Sequence, residues 1–394
     1  MLSKIQPLVK ANLNQIFTSL SVSVIHRSEV IFEDAWGYND PETQQVPTRI
    51  GTWFDLASLT KLFTESAFLS LVSEGAVQLD DPLVSVIPEF GRVNPRGMDG
   101  GQDPHSKILM PTPEAYTQLK IDPSLVTFRQ LLNHSSGVAA WRDVFNAAGP
   151  APTPPTEPDP LDRMTRWANG LEAMYQYPFM NPPGEKVVYS DIGIMLLGEA
   201  VARLHGAPLD EAIRQRIAEP LSLKSVVFNP VREMGLSLTH TAPTEIDPTW
   251  RKRRVWGEVH DENACGLGGV AGHAGLFANV RDIAVFGNAW LTHDERLGIQ
   301  KSLMHDAVQD QTQGERRGLG WMLKSVEDSS AGDVFSLSSF GHTGFTGTSL
   351  WIDPTRELVV VLLTNRVYYG RERVGTHDFR RAMHDAIATF VDEN

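Results

Sequence analysis

Cysteine is almost missing from this chain: Cys265 stands alone among 394 residues. No intrachain disulfide can form, which fits a reducing compartment. The run Asn263-Ala264-Cys265-Gly266 matches no cysteine-nucleophile signature, so a small buried side chain is expected there. Long hydrophobic runs are missing too. The longest aliphatic stretch, residues 358–363, is far short of a membrane span. Near the N-terminus, Ile5, Leu8, Val9, Leu13, Ile16 and Phe17 recur at helical spacing, but Lys10 and several amides break any secretory core. The expectation is a soluble, cytoplasmic protein. Positive charge is scarce: the net charge is −13 and the densest basic cluster, Arg251-Lys252-Arg253-Arg254, is short. Nucleic acid is excluded as a partner on that balance. No G-x-S-x-G elbow occurs, which removes the α/β-hydrolase option. No H-E-x-x-H signature occurs either.

What is present is ordinary globular material, 41% hydrophobic and 21% charged. Residues 21–26 and 29–35 read as a strand pair after an N-terminal helix, and 52–56 as a strand leading into a helix over 62–74. Residues 90–123 and 147–160 are rich in Gly, Pro and Asp and read as long loops. Helices are expected at 127–133, 165–175, 191–204, 209–217, 281–291 and 376–391. Strands are expected at 318–324, 334–338, 348–352 and 357–363. Strands thus occupy both ends of the chain and helices its middle. The economical architecture is an α/β lobe from residues 1–60 and 266–394, with a mainly helical lobe, 61–265, inserted.

Ser58-Leu59-Thr60-Lys61 is the most informative stretch. It lies where the strand gives way to the helix, and residues i and i+3 of a helix share a face. The Lys61 amine therefore stands beside the Ser58 hydroxyl. A serine hydroxyl is a weak nucleophile until a base takes its proton. A lysine serves if burial or another cation lowers its pKa. Taken alone the motif is weak, because about one S-x-x-K match is expected by chance in a chain this long.

Two further motifs change that. Tyr189-Ser190-Asp191 precedes a strongly amphipathic helix, and His342-Thr343-Gly344 leads into Phe345-Thr346-Gly347. Order and spacing resemble the serine β-lactamase and penicillin-binding protein superfamily, with its S-x-x-K, Y/S-x-N and K/H-T-G elements. The phrases at 126–138 and 191–198 look like family segments around the tyrosine. Because tyrosine opens the second motif, the resemblance is to the class C β-lactamase-like branch, which includes esterases, D-aminopeptidases and DD-carboxypeptidases. It implies an α+β fold: a five-stranded antiparallel sheet flanked by helices, an inserted helical lobe, and a site in the groove between them. It also implies roles. Ser58 becomes the acylated nucleophile and Lys61 its proton relay. Tyr189 is general base or acid, its phenol drawn toward phenolate by neighbouring ammonium groups. The N–H groups of Ser58 and Phe345 form an oxyanion hole. His342 replaces the usual lysine, partly charged at neutral pH, to polarise Tyr189 or bind a substrate carboxylate. Asp191, Thr343, Gly344 and Phe345 are carried over as substrate-binding positions, and Trp141 is the best rim candidate. No cofactor and no metal are implied.

Two departures bear on specificity. Asp191 stands where many members have Asn, and a carboxylate can accept but not donate. The lysine-to-histidine exchange weakens a cation. Both argue against an efficient β-lactamase. The insertion at 90–123 is a candidate roof for the groove. His260, Asp261, Glu262 and His273, within the glycine-rich 256–276 stretch, have no metal-ligand spacing, and Gly268, Gly269, Gly272 and Gly275 read as packing glycines. His134-Ser135-Ser136-Gly137 reads as a turn. The expected function is hydrolysis of small esters or amides through an acyl-enzyme. A penicillin-binding DD-carboxypeptidase or weak β-lactamase, and a non-catalytic binding relative, are the alternatives. Oligomeric state is not legible.

Overall fold

The computed structural model describes residues 1–312, 315–372 and 374–394. Its centre is a six-stranded antiparallel sheet. In spatial order the strands are Glu29–Gly37, Ser19–His26, Leu358–Thr364, Ser349–Asp353, Phe340–Thr343 and the short edge Met322–Leu323. The sheet joins the two ends of the chain: Val22 pairs with Leu362, and Leu350 with Val361.

Strand periodicity explains the aliphatic run at 358–363. Successive side chains point to opposite faces. Leu358, Val360 and Leu362 pack with Ile5, Val9, Phe379 and Met383 of the terminal helices Leu2–Asn12 and Thr376–Glu393. Val359, Val361 and Leu363 point the other way, into the main core with Phe63, Ile283 and Phe286. A strand covered on both faces reads as continuously apolar rather than alternating. Each such side chain contributes roughly 1.5–3 kcal/mol on burial. Gly287, in the helix Val280–Leu291, lets that helix close on the sheet: a Cβ there would lie 2.7 Å from Val359.

The middle of the chain is helical, with Thr60–Ser73, Arg163–Met174 and Asp191–His205 as its longer members. Phe128–Leu132 starts from a reciprocal cap between Thr127 and Gln130. The expected helix at 209–217 is an α-turn, Leu209–Ile213, that relaxes into a π-helical turn, Arg214–Ala218. No single helix among the described residues is long and apolar enough to cross a membrane.

Three expectations are corrected. The sheet has six strands, not five, because Met322–Leu323 adds an edge. Residues 334–338 form turns instead of a strand. The Asp385 carboxylate takes the N–H groups of Asp333 and Val334, and Asp353 takes that of Ser336, so sheet donors are used locally. The strand instead falls at Phe340–Thr343 and carries His342. Finally, the strand before Ser58 shrinks to Phe54–Asp55, part of a separate small sheet with Leu276–Ala278 and Val227–Phe228.

Candidate active site

Ser58 lies on a tight turn, Ala57–Leu59, that runs directly into the helix Thr60–Ser73. Ala57 holds φ 48°, a left-handed conformation uncommon for a residue with a Cβ. Asp55 braces it, accepting from the Ala57 N–H at 2.8 Å and from the His260 N–H at 2.6 Å. The third-motif loop is tied to the same turn. Thr346 Oγ1 donates to Asp55 O and Thr348 Oγ1 to Leu56 O. Between them Gly344 meets the turn so closely that a Cβ would fall 2.1 Å from Thr348 Oγ1 and 2.5 Å from Leu56 O. Gly344→Ala should therefore wedge this loop off the Ser58 turn. A stability loss of about 1–3 kcal/mol, with activity lowered more than tenfold, is the expected outcome; melting and steady-state assays on one preparation check it.

Lys61 is fully buried one turn from Ser58. Its Nζ donates to Ser58 Oγ at 3.0 Å and to His273 O at 3.1 Å, and ion-pairs with Asp191 Oδ1 at 2.8 Å. The His273 carbonyl can reach it because Gly272 packs against Gly198 of the helix Asp191–His205, where a Cβ would strike Ile194 O. Ser190 caps that helix through the Gly193 N–H, which puts Tyr189 and Asp191 on either side of the cap. The Lys61 ammonium sits 4.9 Å from the Tyr189 ring centre.

Burial alone would push the Lys61 amine down, but the Asp191 carboxylate and Tyr189 hold it above its ordinary value. It rests as an ammonium. Burial likewise raises Tyr189, and Lys61 only partly offsets this while Asp191 adds to it. The expected drift toward phenolate is therefore corrected: burial outweighs the pull of Lys61, and Asp191 opposes that pull further. His342 is corrected as well. Its Nδ1 lies 2.9 Å from Thr343 O, and burial, reinforced by Lys61 and Arg317, lowers it to about 3. It is neutral, not partly charged, at pH 7. Asp191, expected to await a substrate, is engaged with Lys61, although it still borders the groove.

Ser58 opens on two hollows separated by Phe345. The narrower, about 300 Å³, takes Trp141 and Asp191 into its wall, and the insertion contributes Pro104 and His105. His105 faces the Phe345 ring at 6.4 Å. The metal-like residues are spent in pairs here, His260 with Glu245 at 2.9 Å and His273 with Asp261 at 2.8 Å. The wider hollow, about 570 Å³, is bordered by Tyr189, His342, Thr343 and Gly344. Arg317, Arg366 and Arg380 also line it, and no Asp or Glu does among the described residues. The positive charge of this hollow thus comes from arginines outside the three motifs.

Sequence reasoning missed several neighbours. His134 was read only as a turn residue, and it does hold φ 61°. Its Nδ1 accepts from the Ser190 N–H, and its ring lies 4.6 Å from that of Tyr189. Arg317, whose guanidinium carbon lies 5.5 Å from the same ring, carries no local signal. Glu65 did carry one: it is a charged residue one turn beyond Lys61 in an otherwise buried helix.

An antiparallel sheet flanked by helices, with Ser, Lys and Tyr meeting at its margin, defines the serine β-lactamase and penicillin-binding protein superfamily, whose members are serine hydrolases acting on small esters, amides or β-lactams. The chain belongs to the Beta-lactamase family, whose model matches residues 4–383. A relative from Escherichia coli K12, provisionally named a D-alanyl-D-alanine carboxypeptidase, is 30% identical over 89% of this chain and 79% of its own length. Among solved structures, the hydrolase EstCE1, described as having promiscuous acyltransferase activity, superposes with a TM-score of 0.70 at 19% identity, covering 98% of each chain. The octameric penicillin-binding protein homologue of Pyrococcus abyssi gives 0.67 at 20% identity, over 98% of this chain and 77% of that one.

Proposed function

We propose that the protein is a serine acyl-transfer hydrolase of small esters or amides, and that its substrates carry an anionic group. The carrying observation is the Ser58–Lys61–Asp191 chain, with contacts of 3.0 and 2.8 Å, opening on a hollow with three arginines and no acid.

Protons balance on these residues. As Ser58 Oγ attacks the carbonyl carbon, its proton passes to Lys61 while one from Lys61 moves to Tyr189, so Lys61 stays the ammonium that Asp191 holds. The N–H groups of Ser58 and Phe345 receive the oxyanion; the Phe345 N–H donates to no other group among the described residues. Tyr189 protonates the leaving atom as the acyl bond breaks. Tyr189 is left with the proton relayed from Ser58, and water repeats the sequence on the acyl-enzyme. His342, neutral and 6.0 Å from Tyr189 between ring centres, and His134 on the other side keep the phenol in place. Trp141 and Phe345 bound the acyl group, and Thr343 and Gly344 the leaving group.

The test compares 4-acetoxybenzoate, which carries a carboxylate, with neutral phenyl acetate. The charged ester should be favoured in kcat/KM by about tenfold, or roughly 1.4 kcal/mol. Arg317→Gln should remove most of that preference. A preference for the neutral ester in the unaltered enzyme would refute the anionic reading.

A DD-carboxypeptidase is the second reading. The same arginines suit a peptide C-terminal carboxylate, and the Escherichia coli relative bears that name. Release of D-alanine from a D-Ala-D-Ala peptide, abolished in Ser58→Ala, would select it. A non-catalytic relative has no need of a complete Ser58, Lys61 and Tyr189.

A further inference from the structure

Glu65 is the least explained group near Ser58. It follows Lys61 by one helical turn and is only 2% exposed. Neither of its oxygens has a hydrogen-bond partner among the described residues. One of them, Oε2, is pressed against Gly320, where a Cβ would lie 2.3 Å away. Gly320, at φ 86° with its N–H given to Leu132 O, belongs to the loop that carries Arg317. Arg317 has its own anomaly: its Nη1 is buried and unpartnered among the described residues. An unpaired buried carboxyl is costly, and natural cores seldom keep one without use.

We propose that Glu65, lodged between Lys61 and Arg317, is a positioning residue that sets how much positive charge the wide hollow presents to an anionic substrate. The inference rests on the anionic reading above. Burial pushes Glu65 up to about 8, and Lys61 and then Arg317 limit the rise. Those two cations, one from its own helix and one from the facing loop, are the charges that act on it. The neighbouring His134 and His342 are held neutral by burial. At pH 7 Glu65 is a neutral acid and takes nothing further from Lys61, already paired with Asp191, or from Arg317, whose Nε lies 4.0 Å from Glu315. Once ionised, it draws the free Arg317 Nη1 inward and offsets both cations.

The kcat/KM ratio of 4-acetoxybenzoate to phenyl acetate, followed from pH 6.5 to 9.5, tests this. In the unaltered enzyme the ratio should fall by about three- to tenfold, centred near the pH at which Glu65 ionises. In Glu65→Gln it should stay flat, because the amide cannot ionise. The same fall in Glu65→Gln, or a flat ratio in the unaltered enzyme, would overturn the proposal. Hydrolysis of neither ester would count against the serine-hydrolase reading instead, and melting curves then decide on Glu65. The folded state keeps a proton that the unfolded chain releases above its ordinary carboxyl range. The stabilising contribution is therefore full below about pH 4.5, declines as pH rises toward 8, and is level beyond. The Tm of Glu65→Gln relative to the unaltered protein should rise by several degrees between pH 5 and 8.5. An equal offset at both pH values would reject a buried neutral acid.

Discussion

Ser58→Ala is expected to abolish acylation. Incubation with p-nitrophenyl butyrate should add one butyryl mass to the unaltered protein and none to the variant. Residual kcat should fall by about four to six orders of magnitude, the range seen when the nucleophile of a cooperating set is removed. The fold has little reason to suffer. The hydroxyl accepts from Lys61, and Lys61 keeps His273 O and Asp191 as partners without it. Melting temperature should stay within a few degrees, so lost turnover cannot be assigned to unfolding. An adduct that persists in the variant would move the nucleophile elsewhere. Ser135 and Ser136 are the serines to examine first in that event, since both are buried on the loop that holds His134 against Tyr189.

The motifs were legible because each is local. Ser58 and Lys61 are one turn apart, and Tyr189 and Asp191 flank a helix cap with a recognisable run of apolar positions behind it. The strand pair near the N-terminus and the terminal helices were equally local in their periodicity. Charge states were not legible, since they depend on what folds against each motif. Asp191 could be read as an amide replacement facing a substrate. The fold makes it the counter-ion of the buried Lys61 at the edge of the groove, with Gly272 packed on Gly198 behind it. Burial of the phenol, with Asp191 beside it, reverses the expectation for Tyr189. His342 likewise looked titratable until the strand Phe340–Thr343 placed it inside the core.

The same reasoning shows why the charge of the wide hollow was not legible in the motifs. A histidine in place of a lysine reads as a weaker cation at that position, and it is one. The hollow draws its charge from segments that the motifs do not include: Arg317 before the edge strand, Arg366 after the strand Leu358–Thr364, and Arg380 in the C-terminal helix. Arg380 donates to Gly344 O and Thr348 O, so it also fixes the loop that closes on Ser58. In a chain of net charge −13, a groove with three arginines and no acid among its described lining residues is a local inversion of the protein's field. Such an inversion concentrates anions at the nucleophile and fades as salt screens it.

Lys61 and Tyr189 should behave as one unit with Ser58. Tyr189→Phe removes only the phenolic oxygen and leaves the ring between His134 and His342. Lys61→Met keeps most of the buried side-chain volume. Each should lower kcat by about two to four orders of magnitude, with much smaller effects on KM, because each removes a proton step and not a binding contact. The double variant should be scarcely worse than the poorer single one, since a broken relay cannot be broken again. The two should differ in stability. Removing the Lys61 charge leaves the partly exposed Asp191 carboxylate without its partner beside a buried methionine, a loss of about 1–3 kcal/mol. Tyr189→Phe breaks no ion pair and should melt close to the unaltered protein. Restoring stability in Lys61→Met by adding Asp191→Asn, without restoring turnover, would separate the structural part of the Lys61–Asp191 pair from its part in proton transfer. Unchanged kcat in Tyr189→Phe would mean that a different group protonates the leaving atom.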